Sequence, residues 1–467
     1  MFGKMISWIK GVINKMIRKD NIKSAFNVNI AISNEMATAI DTWVKIYRNN
    51  AEWHNEKTKS LKLGKAISQE FARLVTIEMK SELTGSKRAE YLTETYKNVL
   101  KDLRKNVEYM CAKGAIVFKP YVSNGKIVVD YVQADKFYPT EYDSNGKLTA
   151  GVFLAQKIIG EKIHTRLEYH RFSVSNNIGM YTITNKAFVS DNKGELGTET
   201  SLGIIQEWAN IEEIVTINNV EKPLFIYIKV PTANNIDEES PLGISVFANA
   251  TDLIKDADEQ YARYKWEFEG TEVAIEVDET SLRKDENGNE KLSKHDKRLY
   301  KKRNTGDAGF WEIFSPDIRE VSQSAGLNKI FRLIEFHCQL AYGTLSDPND
   351  VDKTAEEIKT SKQRSYSTVA DIQKSVQQGL EELIYVLDVL ATLYSLAPQG
   401  KAEASFEWDD SIVTDRAKEY AEKMQMVTNG TMPKWEFRMW YFGETKEQAK
   451  LMIEIEKNTL FDDTTEE

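Results

Sequence analysis

One stretch of the chain constrains its fold more than any other. Between Thr354 and about Leu396 there is no proline, and apolar residues recur at helical spacing on one side. A continuous helix of roughly 40 residues would be about 60 Å long, which is more than a compact domain needs. Such a helix is typical of a strut that crosses an assembly. Its predicted buried side consists of Ile358, Val369, Ile372, Val376, Leu380, Leu383, Ile384, Leu387, Leu390 and Leu393.

The composition excludes several classes of protein. The chain has 467 residues, with 62 Lys and Arg against 72 Asp and Glu, and the resulting charge of -10 argues against a protein that coats nucleic acid. No apolar run approaches the ~18 residues of a membrane-spanning helix. The only two cysteines, Cys111 and Cys338, lie far apart, so we expect a reducing compartment and no disulfide framework. Length alone allows about three domains, or one core with large insertions.

The order of periodicities predicts an α+β fold. Residues 29–113 have helical spacing, and residues 114–230 are short β-rich runs with Asn-Gly turns, typical of an antiparallel region. Helices are predicted at 245–269 and 323–342, on either side of an insertion with β character. The long helix follows, then a strand near residue 403 and short helices near 414–428, 433–442 and 445–457.

Residues 1–28 are predicted to form a separate, basic amphipathic segment. Within 1–19, apolar residues occupy one helical face and the five charges are all basic. This pattern predicts an amphipathic helix that docks on a partner protein. Binding to a membrane surface is the less favoured alternative, since five charges give weak anchoring without a lipid.

No motif in the chain predicts an enzyme. His164 and His170 fall on one face of a predicted strand but too far apart to share a metal, and the chain has no phosphate-binding P-loop and no nucleophile elbow. The acidic run at 285–290 lacks the glycine of a calcium loop and is predicted to be a hairpin turn. We therefore predict no catalytic residue, no cofactor and no metal site.

A strongly basic segment lies in the insertion. Between residues 291 and 303, seven of thirteen residues are cationic, with Tyr300, Phe310 and Trp311 close by. A solvated charged loop and a docking surface for an acidic partner or a DNA backbone are about equally supported. The cations are Lys291, Lys294, Lys297, Arg298, Lys301, Lys302 and Arg303.

A polar loop joins the second helix to the long helix. It runs from Ser346 through Asp347, Pro348, Asn349, Asp350, Val351 and Asp352 to Lys353. Asp352 or Thr354 is a candidate N-cap for the long helix. Taken alone, the loop is a joint between two helices.

Taken in order, these elements resemble the portal proteins of tailed bacteriophages, in particular those from phages and prophages of Gram-positive bacteria. The resemblance covers nearly the whole chain from about residue 30. Its most specific stretches are VQADKFYPT, TRLEYH, PTANNIDEESPLGISVFANATDLIKDADEQY, WEFEG and YGTLSDPNDVDKTAEEIKTSKQRSY. One departure is the sequence KTAEEIK after the polar loop, where relatives often carry a Ser-Gly motif.

The resemblance implies a division of the chain. Residues 29–240 would form a wing, helical over 29–113 and β over 114–230. Residues 241–270 and 321–342 would be stem helices, 271–320 a clip, 343–353 a tunnel loop, 354–397 a spine helix within the wing, and 398–467 a crown with the C-terminal helices.

The resemblance also implies a function. About twelve copies would form a ring at one capsid vertex, with double-stranded DNA passing through its channel during packaging and ejection. Terminase, head–tail adaptors, and the major capsid and scaffolding proteins would be partners. The protein would reside in the virion after assembly in the host bacterial cytoplasm, and membrane association is not expected.

Charge fits this role. A channel that lets DNA slide should not bind it tightly, and Asp347, Asp350 and Asp352 would repel the strand while Lys353 adds a weak contact. As residues of the tunnel loop that the resemblance implies, the expected DNA-facing residues are Ser346, Asp347, Asn349, Asp350, Asp352 and Lys353. The basic segment with Phe310 and Trp311 would dock motor or adaptor proteins, with Lys301, Lys302 and Arg303 central.

Two alternatives remain open from the sequence. One is another phage structural protein, either a minor capsid or an adaptor subunit. The other, less favoured, is a metal-dependent nuclease that uses clustered carboxylates and Mg²⁺.

Overall fold

The computed structural model describes residues 19–192, 194–278, 300–306, 310–347, 355–408 and 416–462. The chain divides into two compact units. The larger unit comprises the residues up to Ile77 and Ser81–Phe406, and the smaller unit comprises Glu78–Lys80 and Glu407–Glu467. The predicted α+β class is confirmed.

The N-terminal part of the larger unit is mostly helical. Its elements are α1 (Lys19–Phe26), α2 (Asn34–Tyr47), α3 (Leu63–Thr76), β1 (Met79–Gly85) and α4 (Lys87–Lys113). Ser33 and Ser86 cap α2 and α4 by accepting a backbone N–H, as small polar residues do at helix starts. The prediction of helix throughout 29–113 is wrong at β1, which pairs with a strand far along the chain.

The predicted antiparallel region is confirmed. The strands are β2 (Ala115–Ser123), β3 (Lys126–Gln133), β4 (Phe137–Tyr142), β5 (Leu148–Ile159), β6 (Lys162–Ser175), β7 (Ile178–Ser190), β8 (Thr198–Thr200), β9 (Ile214–Asn218) and β10 (Ile226–Lys229). One sheet has the order β10-β2-β3. Another runs from β4 to β8 in chain order, and β9 also pairs with β7.

A buried charge network connects these two sheets. Glu168 on β6 accepts hydrogen bonds from Lys119 on β2 at 2.8 Å, from Arg166 at 3.0 Å and from His170 at 2.7 Å. Burial by itself would raise the pKa of Glu168, but these three neighbours outweigh it and hold the pKa well below its usual range. His170, one of the two strand histidines, also forms a hydrogen bond with Tyr181 on β7, so its ring is buried on one face of the sheet.

The second half of the larger unit contains the remaining long helices. They are α5 (Thr251–Gly270), α6 (Glu320–His337) and α7 (Ala355–Leu393). Between α5 and α6 lies a small sheet made of β11 (Ala274–Asp278), β12 (Tyr300–Arg303) and β13 (Trp311–Phe314), and β14 (Ala402–Trp408) follows α7. The predicted long helix is therefore confirmed. Leu340, assigned to the second helix, lies beyond its end.

Helix α7 packs its apolar side against the sheet that contains β10 and against α3 and α4. Helix α7 and β10 approach closely at Gly379, where an added Cβ would lie 2.4 Å from Cδ1 of Ile228, so a larger residue would displace that buried side chain. At the C-terminal end of α7, the buried guanidinium of Arg88 donates to the backbone oxygens of Asp388, Ala397 and Pro398. A cation there stabilises the carbonyl end of the helix.

The smaller unit contains α8 (Arg416–Thr428), α9 (Lys434–Phe442) and α10 (Lys446–Asp462). Its contacts are largely aromatic. Tyr420, Phe437 and Tyr441 form one ring cluster, and Lys446 and Lys450 lie over the ring of Trp435. Within the described residues of this unit, Ala449 is the one buried apolar side chain. This unit therefore has little core of its own.

Within the described part of the chain, none of the helices combines the length and the apolar character needed to cross a membrane.

Candidate functional site

Helices α5 and α6 lie against each other over much of their length. Gln260, in the middle of α5, donates to Gln323 in the first turn of α6 at 2.6 Å. At the end nearest the small sheet, Arg319 donates through Nε and Nη2 to the two oxygens of Glu267, at 2.8 and 2.7 Å. The hydrogen bonds from Arg319 lower the pKa of the Glu267 carboxyl, so the bidentate pair fixes the last turn of α5 to the start of α6.

A buried carboxylate on α5 fixes the segment before α3. Asp258 accepts from Nε1 of Trp53 at 2.9 Å, from Nε2 of His54 at 2.8 Å and from the backbone N–H of Leu61 at 2.7 Å. Because Nδ1 of His54 accepts from the N–H of Ala51, Nε2 carries the hydrogen that is donated to Asp258. Three donors therefore attach the N-terminal helical region to α5.

The loop that follows α6 is held at its start by another buried carboxylate. Glu335, which has 0% exposure, accepts from the N–H of Leu345 at 2.6 Å, from the N–H of Ser346 at 2.9 Å and from the hydroxyl of Ser346 at 2.8 Å. Two turns earlier on α6, Asn328 accepts from the N–H of Asp347 at 2.8 Å. These bonds determine where the polar loop leaves the helix pair.

An arginine of α7 lies beside the same loop. The guanidinium of Arg364 is 4.8 Å from the ring centre of Phe336 on α6 and 5.1 Å from that of Tyr342. A cation between two aromatic faces is stabilised by both rings. Arg364 therefore connects the start of the long helix to the end of α6.

Two of the expected DNA-facing residues are described. Ser346 is buried by its contacts with Glu335, whereas Asp347 is exposed. Asn349, Asp350, Asp352 and Lys353 lie outside the described residues. The buried position of Ser346 indicates that it anchors the loop, and the role of the other five stays a prediction.

The basic segment is described only at its end. Lys291, Lys294, Lys297 and Arg298 lie outside the described residues. Residues 300–303 form strand β12, so the reading of the whole segment as a loop is wrong at this end. Nε of Arg303 bonds to Oε2 of the mostly buried Glu276 at 2.7 Å, and this pair already compensates the charge of Arg303.

The aromatic residues next to the basic segment differ in exposure. Phe310 is half-buried, and its carbonyl accepts from the N–H of Asp278. Trp311 on β13 is 66% exposed. Further large apolar side chains are exposed on the small sheet and the adjacent helix ends, which indicates a protein contact surface. They are Trp266, Phe268, Val273, Ile313, Ile318 and Val321.

Sequence reasoning missed the residues that hold these elements in place. Asp258, Glu267 and Glu335 are acids on amphipathic helices, and such residues are ordinarily solvated. The only sequence signal of their burial was that each carboxylate lies close to the apolar stripe of its helix. Which acids become buried depends on partners 10 to about 200 residues away.

Among the described residues, no three His, Cys, Asp or Glu side chains are grouped so that they could hold a metal ion. Cys111 and Cys338 are both buried and unbridged, and burial raises the pKa of each thiol. Neither thiol is placed as a reactive nucleophile.

The chain is similar to a known protein family. A family model described as "Phage portal protein, SPP1 Gp6-like" matches residues 18–459. No curated protein matches the chain.

The anchor of the polar loop is open to a direct test. Glu335→Gln removes the charge that accepts three hydrogen bonds, each worth about 1.5–3 kcal/mol when the acceptor is ionised. We expect hydrogen exchange at the amides of Leu345 and Ser346 to become roughly 10- to 100-fold faster, as measured by mass spectrometry. Glu320→Gln, at an exposed acid in the first turn of the same helix, is the control and should leave these rates unchanged. Unchanged protection in Glu335→Gln would contradict the anchoring role.

Proposed function

The chain belongs to the family of phage portal proteins of the SPP1 Gp6-like type, and from this premise we propose that it forms the ring through which the phage genome passes. The main support for this proposal is that the family match extends over residues 18–459 of the 467 residues. Proteins of this family are structural, and they act as homo-oligomers at the capsid vertex. The finer statements about DNA, terminase and adaptors are our proposal.

The arrangement of the larger unit supports this role. A channel through a ring needs one rigid element per copy to line it and one loop per copy to narrow it. The helices α5 and α6 supply the rigid element, since Glu267 and Arg319 fix their ends together. The loop after α6 starts from a fixed position because Glu335 and Asn328 hold residues 345–347.

We assign the segments accordingly. Residues 29–240 form the wing, 241–270 and 321–342 the stem, 271–320 the clip, 343–353 the tunnel loop, 354–397 the spine helix, and 398–467 the crown. The exposed apolar side chains of the clip and stem fit a copy that is only partly covered until it assembles. Residues 1–28 precede the wing as a basic segment for protein docking.

The ring itself is the first experiment. Native mass spectrometry of the purified protein should give one dominant closed oligomer of about twelve copies, and negative-stain images should show a central hole. The same sample incubated with plasmid and Mg²⁺ or Mn²⁺ should leave the DNA intact. A stable monomer with metal-dependent nicking activity would contradict the proposal and favour the nuclease alternative.

Charge at the tunnel loop gives a second prediction. The triple variant Asp347→Lys, Asp350→Lys, Asp352→Lys replaces a ring of negative charges, which repels DNA, with a ring of positive charges, which attracts it. Because each phosphate contact releases counterions, we expect the ring to bind duplex DNA at least ~10-fold more tightly at low salt and to package DNA more slowly. The measurements are a filter-binding salt titration and packaging of DNA into empty capsids.

The matched control changes the same three residues to asparagine. This variant removes the repulsion without adding cations, so its gain in DNA affinity should be smaller. If the lysine variant packaged at the native rate with unchanged DNA affinity, the loop residues would not face the DNA.

We propose that the basic segment of the clip docks terminase and the head–tail adaptors. Arg303 is paired with Glu276, and Lys301 and Lys302 belong to strand β12, so the test uses the other four cations. The change of Lys291, Lys294, Lys297 and Arg298 to Glu should abolish capture of adaptor and terminase by the ring in a pull-down. Native binding by this variant would contradict the assignment.

The matched control reverses four exposed lysines elsewhere in the larger unit. Lys57, Lys59, Lys62 and Lys65 lie within nine residues of one another. The same change of net charge at these positions should leave capture intact.

A further inference from the structure

The small sheet has two edge strands, and no strand of the described residues outside this sheet pairs with either of them. Its order is β12-β11-β13, so β12 and β13 are both edge strands with β11 between them. An edge strand presents a row of unpaired N–H and C=O groups and is a template for another strand. Both edges lie in the segment assigned to the clip.

The outward groups of β13 follow from its pairing. The N–H of Asp278 donates to the carbonyl of Phe310, and the register continues with Glu276 opposite Glu312 and Val277 opposite Trp311. Since alternate residues of an antiparallel strand direct their backbone groups to the same side, Glu312 faces β11. The backbone groups of Trp311 and Ile313 therefore point to the open edge.

The outward groups of β12 follow in the same way. Strand β12 is parallel to β11, with Ile275 opposite Tyr300 and Val277 opposite Lys302. On β11, Ile275 and Val277 are the residues whose backbone groups face β12, and they bond to the residues on either side of their register partners. Lys301 and Arg303 thus bond to β11, and Tyr300 and Lys302 present their backbone groups to the other edge.

Charge makes the two edges complementary. Glu312 lies directly opposite Glu276, and like charges at opposed positions are destabilising. Arg303 compensates Glu276, but among the described residues Glu312 has no cationic partner. The β13 edge therefore presents an uncompensated acid, and the β12 edge belongs to the basic segment.

We infer that β13 of one copy pairs with β12 of the next copy, so that the small sheets join into one continuous β-ring. This inference rests on the proposed ring function. Because β12 and β13 run antiparallel to each other within one sheet, copies related by rotation bring them together as an antiparallel pair. The contact is heterologous, and it closes only when the ring closes.

The outward backbone groups set the register. Tyr300 and Lys302 of one copy are opposite Ile313 and Trp311 of the next, and each pair exchanges hydrogen bonds. Lys301 then lies opposite Glu312 in a non-hydrogen-bonded position, where Cα atoms are about 4.5 Å apart. The acid without a partner thereby acquires a lysine, and the exposed Trp311 and Ile313 are covered by a neighbour.

The pairing is tested by disulfide cross-linking of assembled rings that carry Lys301→Cys with Glu312→Cys. Within one copy these positions are separated by β11, at about 9.6 Å, which exceeds the ~7 Å limit of a disulfide. Only neighbouring copies can bridge. Oxidation should give a ladder of covalent oligomers on a non-reducing gel, up to the size of the ring. The buried Cys111 and Cys338 do not interfere.

The controls are the two single-cysteine variants, which should give no ladder. Rings that are intact by native mass spectrometry but yield no ladder from the double variant would overturn the strand pairing and leave the portal function standing. Absence of any ring would contradict both.

Exchange of the charges supplies an independent measurement. Glu312→Lys alone places lysine opposite lysine and should lower the yield of rings in moderate salt. Combination with Lys301→Glu should restore the yield. If the exchange variant assembled no better than the single variant, the register with Lys301 opposite Glu312 would be wrong.

Discussion

The rest of the larger unit depends on the burial of one side of α7. This helix of 39 residues is about 58 Å long, and the sheet containing β10 packs against it together with α3 and α4. A helix of this length is stable because its apolar side is covered, not because of intrinsic propensity. The fit at Gly379 and the five hydrogen bonds of Arg88 at the carbonyl end set its position. Helix α7 thereby holds elements that are far apart in the chain in fixed positions relative to one another.

Buried carboxylates fix the helices α5 and α6 and the start of the polar loop in place. Asp258 attaches the N-terminal helical region to α5, Glu267 ties α5 to α6, and Glu335 fixes the start of the polar loop. Each is a charge withdrawn from water, which is costly unless several donors meet it. In each case two or more donors do so. A loop that narrows a channel needs such anchors, because a displacement at its base would be carried to its tip.

Much of the fold was predictable from patterns that act locally. The proline-free apolar stripe predicted α7, and the Asn-Gly turns predicted the antiparallel region. The errors were strands of low apolar content. Strand β12 has no alternating apolar pattern, and β1 alternates only Met79, Ser81 and Leu83 with polar residues. Both depend on the hydrogen bonds of a partner strand, β11 for β12 and β14 for β1. The candidate site was predictable as a polar loop between helices, whereas Ser346 as an anchor and Arg303 as the partner of Glu276 were not.

The sequence by itself determined the fold class, the order of the helices and strands, the resemblance to portal proteins and the acidic character of the polar loop. These properties depend on neighbouring residues and on helical or strand periodicity, so they can be recognised without coordinates. The tertiary structure alone decided which acids are buried, which cations are already paired and which edge strands no described strand pairs with. Those outcomes depend on contacts between residues far apart in the chain, and the energy of a charge depends on whether such a contact replaces its water.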